Sequence, residues 1–156
     1  IVIPLFLIMR RLSLLDTHAA LVIAYTAFSL PFSIWLLRGF FEAIPEELEG
    51  AAAVDGATML GTFHRIILPL AGPGLAAVIM FDFIRAWNEF LFALVFLQTP
   101  GLFTMPIGLA SFQEEYSLRW DLIMAGAGII ALPVLFFFLL MQRFIVQGLL
   151  GGAVKG

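Results

Sequence analysis

Asp82, Arg85 and Glu89 fall at i, i+3 and i+7 inside an otherwise apolar stretch, residues 72–97. On one continuous helix that spacing puts them on a single face, with Asn88 to one side and Trp87 pointing well away from Asp82. An ionised side chain at the middle of a bilayer costs roughly 2.5–3.5 kcal/mol on insertion scales, so such residues face a bundle interior or a watery cavity. Asn88 and Glu89 can bond hydroxyl groups, and Trp87 offers an aromatic surface to an apolar ring face. These five residues are the candidate lining of a solute path. The competing reading is an internal ion pair, with Arg85 between two carboxylates offsetting its own burial. Other chemistries find no support. His18 and His64 stand alone, without a second ligand at metal spacing, so no metal site is expected. Cysteine is absent, which excludes disulfides and thiolate sites. No nucleophile and base are spaced as a pair, and no G-x-x-x-x-G-K-[ST] phosphate loop occurs. No enzyme activity and no cofactor are therefore expected.

The elements that position those residues follow from composition. Apolar residues make up 62% of the chain and charged residues 12%, against about 45–50% and about 25% in soluble domains. The bilayer is the solvent that suits such a surface, and the many Phe and Trp residues suit a chain in contact with lipid. The net charge of −3 is spread along the sequence, and no Lys/Arg run suggests nucleic acid. Hydropathy predicts full spans over 19–41, 72–97 and 122–145. The run 1–9 is too short to span, and is read as the end of a helix that begins upstream. Residues 10–17 and 98–121 read as polar loops, the second marked by Pro100-Gly101 and Pro106, and 146–156 as a Gly-rich tail. Pro31 and Pro133 lie inside spans, where they are tolerated as bends. Gly126-Ala127-Gly128 suits close helix contact. Placing 42–69 in the cytoplasm puts Arg38, Arg65, Arg143 and Lys155 inside and Arg10, Arg11 and Arg119 outside, a weak positive-inside bias.

Residues 44–69 read IPEELEGAAAVDGATMLGTFHRIILP. Pro45 suits a first helical position. Glu46 and Glu47 suit the positive end of the helix dipole. Ala51, Ala52 and Ala53 are strong helix formers of little bulk. Asp55-Gly56 reads as a stop, with Gly56 free to turn left-handed. A second helix over 57–67 would align Leu60, Phe63 and Ile67, and Pro69 and Pro73 should break it. The expected product is a small-sided helical hairpin outside the membrane.

This loop resembles one in permeases of ATP-binding-cassette importers, written E-A-A, three residues, G, nine residues, I-x-L-P. Ala51-Ala52, Gly56, Ile66 and Leu68-Pro69 occupy those positions. Asp55-Gly56-Ala57, with Phe63 and Pro73, resembles the carbohydrate branch. The likeness continues through Leu30-Pro31-Phe32, Trp87-Asn88-Glu89-Phe90, Thr104-Met105-Pro106, Gln142-Arg143-Phe144 and the closing Gly152-Ala153-Val154-Lys155-Gly156. It covers essentially the whole chain and is similar to the C-terminal part of the MalG-like permeases, which carry a MetI-like transmembrane domain. One departure is plain: Gly50 stands at the glutamate position, and Glu49 lies one residue earlier, about 100° around a helix.

The resemblance implies an all-α polytopic transmembrane bundle with a cytoplasmic coupling helix, residues 1–156 being part of one domain whose earlier spans are not in this sequence. It implies a permease subunit that passes a sugar across the cytoplasmic membrane of a prokaryote. A polyamine, a glycerol phosphate or ion-coupled secondary transport are the alternatives. Implied partners are ATPase subunits that bind the ATP, a second and different permease subunit, an extracytoplasmic solute-binding protein and membrane lipid. Glu114, Glu115 and Tyr116 become candidates for contact with the binding protein.

Overall fold

The structure of the chain is a computed structural model. It describes residues 1–112 and 120–153, with residues 145–153 described by backbone alone. Among the described residues every regular element is helical: α1 (Val2–Arg11), α2 (His18–Glu42), α3 (Glu47–Val54), α4 (Met59–Thr62), a π turn (Phe63–Ile67), α5 (Leu68–Leu70), α6 (Gly72–Trp87), α7 (Leu91–Phe96), a 3-10 turn (Pro100–Leu102), α8 (Met105–Ser111) and α9 (Trp120–Ala153). The chain divides into two compact units, Ile1–Leu30 with Phe83–Phe136, and Pro31–Asp82 with Phe137–Gly156.

Among the described residues two helices are long and apolar enough to cross a membrane, His18–Glu42 and Trp120–Phe144. At 1.5 Å per residue each extends about 38 Å, beyond the roughly 30 Å of hydrocarbon. In Trp120–Phe144 only 6% of the most apolar window is buried, so this helix needs lipid or another subunit to cover it. Pro31 and Pro133 sit inside α2 and α9 without ending them. The tail expected at 146–156 is instead helical to Ala153, because glycine weakens a helix by about 1 kcal/mol per residue without forbidding it. Val154, Lys155 and Gly156 lie outside the described residues, as do Arg119, Glu114, Glu115 and Tyr116.

The span expected over 72–97 is not one helix. The α6 helix ends at Trp87 and α7 begins at Leu91. Alone, α6 is 16 residues long, about 24 Å, short of the hydrocarbon thickness. It continues instead from Met59–Leu70 through a 69° bend, and that bent pair together has the length and composition of a span. The expected break at Pro69 is displaced for a related reason. Pro69 has no N–H and its ring crowds the carbonyl four residues back. The helix responds by widening: Leu68 N–H donates to Phe63 O, a π-type bond. Pro69 itself sits in the first turn of α5, and the bend comes at Ala71.

The first unit holds the larger core, built from Met9, Ala20, Leu21, Ala24, Ala93, Phe96, Leu97 and Ile107. The presumed polar loop 98–121 contributes to it through Ile107 on α8, so that loop is partly a packed element. Its closing clamp is Asp16, which accepts from Gln98 N (2.8 Å), Thr99 N (2.9 Å) and Thr99 Oγ1 (2.6 Å). Asp16 N–H donates to Phe96 O (2.8 Å), and His18 Nε2 donates to Leu102 O (2.9 Å). Asp16 adopts φ 60, a left-handed conformation that Asp tolerates better than most residues. The bonds from Thr99 hold the Asp16 carboxyl below the usual carboxylate range. In the second unit α6 packs so closely on α2 that a Cβ on Gly74 would run into the Phe40 ring. Of the small residues on α9, Gly126 lies against Leu109 while Gly128 faces open space.

Candidate functional site

Two constructions carry the residues singled out above, and each lies within one compact unit. The first is the hairpin α3–α4 in the second unit. Helix α3 starts two residues later than expected, at Glu47, with Glu46 as N-cap and Pro45 before it; Pro45 O still accepts from Leu48 N (3.2 Å). Glu47 and Glu49 occupy the first turn, where a carboxylate favours the dipole. The helix closes as expected at Asp55-Gly56. Gly56 has φ 75, Ala57 N donates to Ala52 O (2.9 Å), and Gly56 N donates to Ala53 O (3.1 Å). That pair of bonds is a Schellman motif. The next helix is capped by Thr58, whose hydroxyl accepts from Gly61 N (3.2 Å). The sequence reading missed this cap, although a Thr just before a helix start is its ordinary signal.

The coupling-loop candidates do not form one surface. Glu49, Ala57 and Phe63 line a cleft of about 310 Å³ together with Ala53, Met59, Thr62 and Ile67. Gly50, Ala51, Asp55 and Gly56 lie on the open surface, and a Cβ on Gly50 would meet nothing within 4 Å. Ala52 and Ile67 are buried, while Ile66, Leu68 and Pro69 support the bend. Leu60, Phe63 and Ile67 do not share a buried face: Leu60 is 72% exposed and Ile67 only 8%, because the π turn between them changes the register. Met59 and Val54 stand out of the hairpin at 91% and 89% exposure. The hairpin thus offers water an apolar edge that its own unit does not cover. His64 is exposed and contacts the Phe63 ring edge-on, and no metal-ligand cluster occurs among the described residues.

The second construction is the break between α6 and α7 in the first unit. Asn88 turns back to donate from Nδ2 to Ile84 O (2.8 Å), closing the C-terminal end of α6. Glu89 closes the start of α7: Oε1 accepts from Phe92 N (2.8 Å), and Oε2 accepts from Ala93 N (3.1 Å) and from the Tyr25 hydroxyl (2.8 Å). Two of the backbone donors orphaned at the start of α7, Phe92 N and Ala93 N, are thereby satisfied. Glu89 and Arg85 then line a cavity of about 190 Å³ with Tyr25, Phe28, Ser29 and Phe92.

Of the three residues expected on one face, Asp82 and Arg85 both lie on α6 and Glu89 does not. Glu89 lies beyond the end of α6, so the i, i+7 relation lapses. Asp82 belongs to the second unit, where its Oδ2 accepts from Ser33 (2.7 Å). Trp87 donates from Nε1 to Ile130 O (3.1 Å) and stacks on Phe83; it is a packing residue against α9. Asn88 is a helix cap. Arg85 and Glu89 remain, and no ion pair joins them: the ion pair among the described residues is Arg38–Glu42 (2.6 Å), at the exposed end of α2. Sequence reasoning missed Tyr25 and Ser29. Their signal was a polar stripe at i, i+4 and i+8 on an apolar helix, Tyr25, Ser29 and Ser33.

Comparison with known proteins decides what kind of molecule carries these two constructions. The family described as the binding-protein-dependent transport system inner membrane component matches residues 1–151. The chain belongs to that family. Among its relatives in the family is a putative ABC transporter permease protein ORF1 of Streptomyces antibioticus, 47% identical over 155 residues, which are 99% of this chain and 68% of that protein. The trehalose transport system permease protein SugB of Mycobacterium tuberculosis is 43% identical, covering 100% of this chain and 58% of its own length. The sulfoquinovosyl glycerol transport system permease protein SmoH of Agrobacterium fabrum is 40% identical, covering 100% and 55%. A solved bacterial ABC transporter involved in importing the acidic polysaccharide alginate superposes with a TM-score of 0.70 at 29% identity, over 90% of this chain and 55% of that one. The chain spans about half to two thirds of the length of such relatives. Membership makes it an inner-membrane transport component, and its described residues carry only helices as regular structure.

Proposed function

We propose that this chain forms part of a permease subunit that carries a sugar inward across the cytoplasmic membrane, powered by ATP hydrolysed in a partner subunit. The observation that supports this most is the α3–Gly56–α4 hairpin. It is closed by a Schellman motif and presents Val54, Met59 and Leu60 to water. An exposed apolar edge on a stiff lever is what a docked ATPase would cover and move. Glu49, Gly50, Ala51, Asp55, Gly56 and Ala57 form its working surface, Ala52 packs beneath them, and Phe63, Ile66, Leu68 and Pro69 transmit motion into α6. The permease itself performs no catalysis and holds no cofactor.

In this reading residues 42–69 face the cytoplasm, and a second permease subunit covers much of α9. A solute-binding protein delivers the sugar on the opposite side. Nucleotide-driven closure of the ATPases draws the hairpins together and turns the solute cavity outward. Relatives named for trehalose, for diacetylchitobiose and for sulfoquinovosyl glycerol favour a sugar over a polyamine or a glycerol phosphate. The test is uptake by the complete transporter in proteoliposomes with all ion gradients collapsed. ATP-dependent accumulation of a sugar is the expected result. Accumulation that needs an ion gradient and ignores ATP refutes the reading and favours a secondary transporter.

A further inference from the structure

The cavity at the α6–α7 break is lined by an arginine that makes no ion pair among the described residues. Two ionisable groups of opposite sign line it, but they are not equivalent. Glu89 is committed: both its oxygens accept hydrogen bonds, from Phe92 N, Ala93 N and the Tyr25 hydroxyl, which uses most of a carboxylate's acceptor capacity. Arg85 is exposed on the same wall, and among the described residues no carboxylate lies within 4.0 Å of it. A guanidinium presents a planar fork of donors that matches a carboxylate or sulfonate.

The rest of the wall suits a sugar ring. Phe28 and Phe92 stack with centroids 5.4 Å apart, an apolar surface for a ring face. The Tyr25 oxygen, having donated its proton to Glu89, keeps lone pairs that can accept from a sugar hydroxyl. The volume, about 190 Å³, suits a single ring better than an extended oligosaccharide.

We propose that this cavity is a subsite for an acidic sugar, one whose carboxylate or sulfonate pairs with Arg85 while its ring lies on the Phe28–Phe92 pair. Tyr25 and Ser29 contact the hydroxyls, and Glu89 positions Tyr25 without contacting the acid group. The inference rests on the sugar-importer reading and narrows it to a charge class.

The test uses the complete transporter with its ATPase subunits, purified in detergent without binding protein. Saturation-transfer difference NMR titrations compare glucuronate with its uncharged methyl ester, a pair that differs in charge at the same ring. Glucuronate is expected to bind at least tenfold tighter, about the factor that 1.4 kcal/mol gives. Arg85→Gln should bring the ratio close to one, and Arg85→Lys should keep part of it. Equal binding of acid and ester by the unmodified protein overturns the inference, as when a carboxylate from another subunit already neutralises Arg85. A ratio that survives Arg85→Gln overturns it too. The comparison of acid and ester needs no variant, so poor folding of Arg85→Gln does not remove the test. Binding of neither form, with ATP driving uptake of a solute of another class, refutes the sugar reading itself; equal binding refutes only the charge preference.

Discussion

Replacing Glu89 by Ala should cost the transporter about 3 kcal/mol of stability, and the helix start, not the tyrosine, should account for most of it. Three donors converge on this carboxylate: Tyr25 Oη at 2.8 Å, Phe92 N at 2.8 Å and Ala93 N at 3.1 Å. Interhelical side-chain bonds in membranes average only about 0.6 kcal/mol and reach about 1.7 at most. A backbone donor left unpaired away from water costs about 1–3 kcal/mol, and here there are two at the start of α7. Because Glu89 is only half-buried, the lower end applies to each. Tyr25→Phe should therefore cost about 1 kcal/mol. Glu89→Gln should fall between the single losses, since its amide oxygen still accepts one backbone N–H. The assay is thermal unfolding of the purified complete transporter, followed by tryptophan fluorescence for each single variant and for the Tyr25→Phe, Glu89→Gln pair. Coupling of about 0.5–1 kcal/mol between the two sites is expected of residues in contact. Strict additivity, or a Tyr25→Phe loss as large as that of Glu89→Ala, would refute this account of the break.

Within the hairpin, Gly50→Ala and Gly56→Ala should act in opposite directions although a Cβ at either position meets open space. The first should stabilise α3 by about 0.5–1 kcal/mol, and the second should cost about 1–2 kcal/mol because φ 75 disfavours any Cβ; limited proteolysis of the hairpin reads both. Gly74→Ala should destabilise by about 1–3 kcal/mol through overpacking against Phe40, and Phe40→Ala in the same chain should recover part of the loss in a thermal melt. The Asp16 clamp sets an acid limit. Its folded carboxyl sits below the ordinary value of 3.8, so its contribution is complete above that pH and is lost as pH falls through the depressed value. Melting profiles below pH 4 should steepen in the unmodified protein and flatten in Asp16→Asn.

How far the sequence could be read depended on the range of the interactions involved. The hairpin was legible because its turn is local: Asp55-Gly56 makes its own Schellman bonds to Ala52 and Ala53, and no distant residue is needed. The spans at α2 and α9 were legible for the same reason, a long uninterrupted apolar run. The stretch 72–97 misled because a hydropathy average cannot see a carboxylate turning back to cap a helix. Glu89 lies in an apolar run, yet its caps on Phe92 and Ala93 start a new helix there, and its bond to Tyr25 reaches a residue 64 positions earlier. Glu89 left the charged face where α6 ended, and Arg85 stands beside groups from α2 that hydropathy had counted as plain span. Likewise the π turn before Pro69 rotated Leu60 out of register with Ile67, an offset that spacing on an ideal helix does not contain.

The central claim, that the hairpin docks an ATPase, is tested most directly by purifying the complete transporter with its neighbouring subunits after Gly56→Ala and Gly56→Arg. Neither side chain meets an atom of this chain within 4 Å at its Cβ, and both carry the same backbone penalty, so only bulk and charge toward a partner distinguish them. The account predicts that an ATP-hydrolysing subunit co-purifies with the unmodified protein and with Gly56→Ala and is released by Gly56→Arg. Equal retention by both variants, or purification of an active transporter with no ATPase at all, would contradict it.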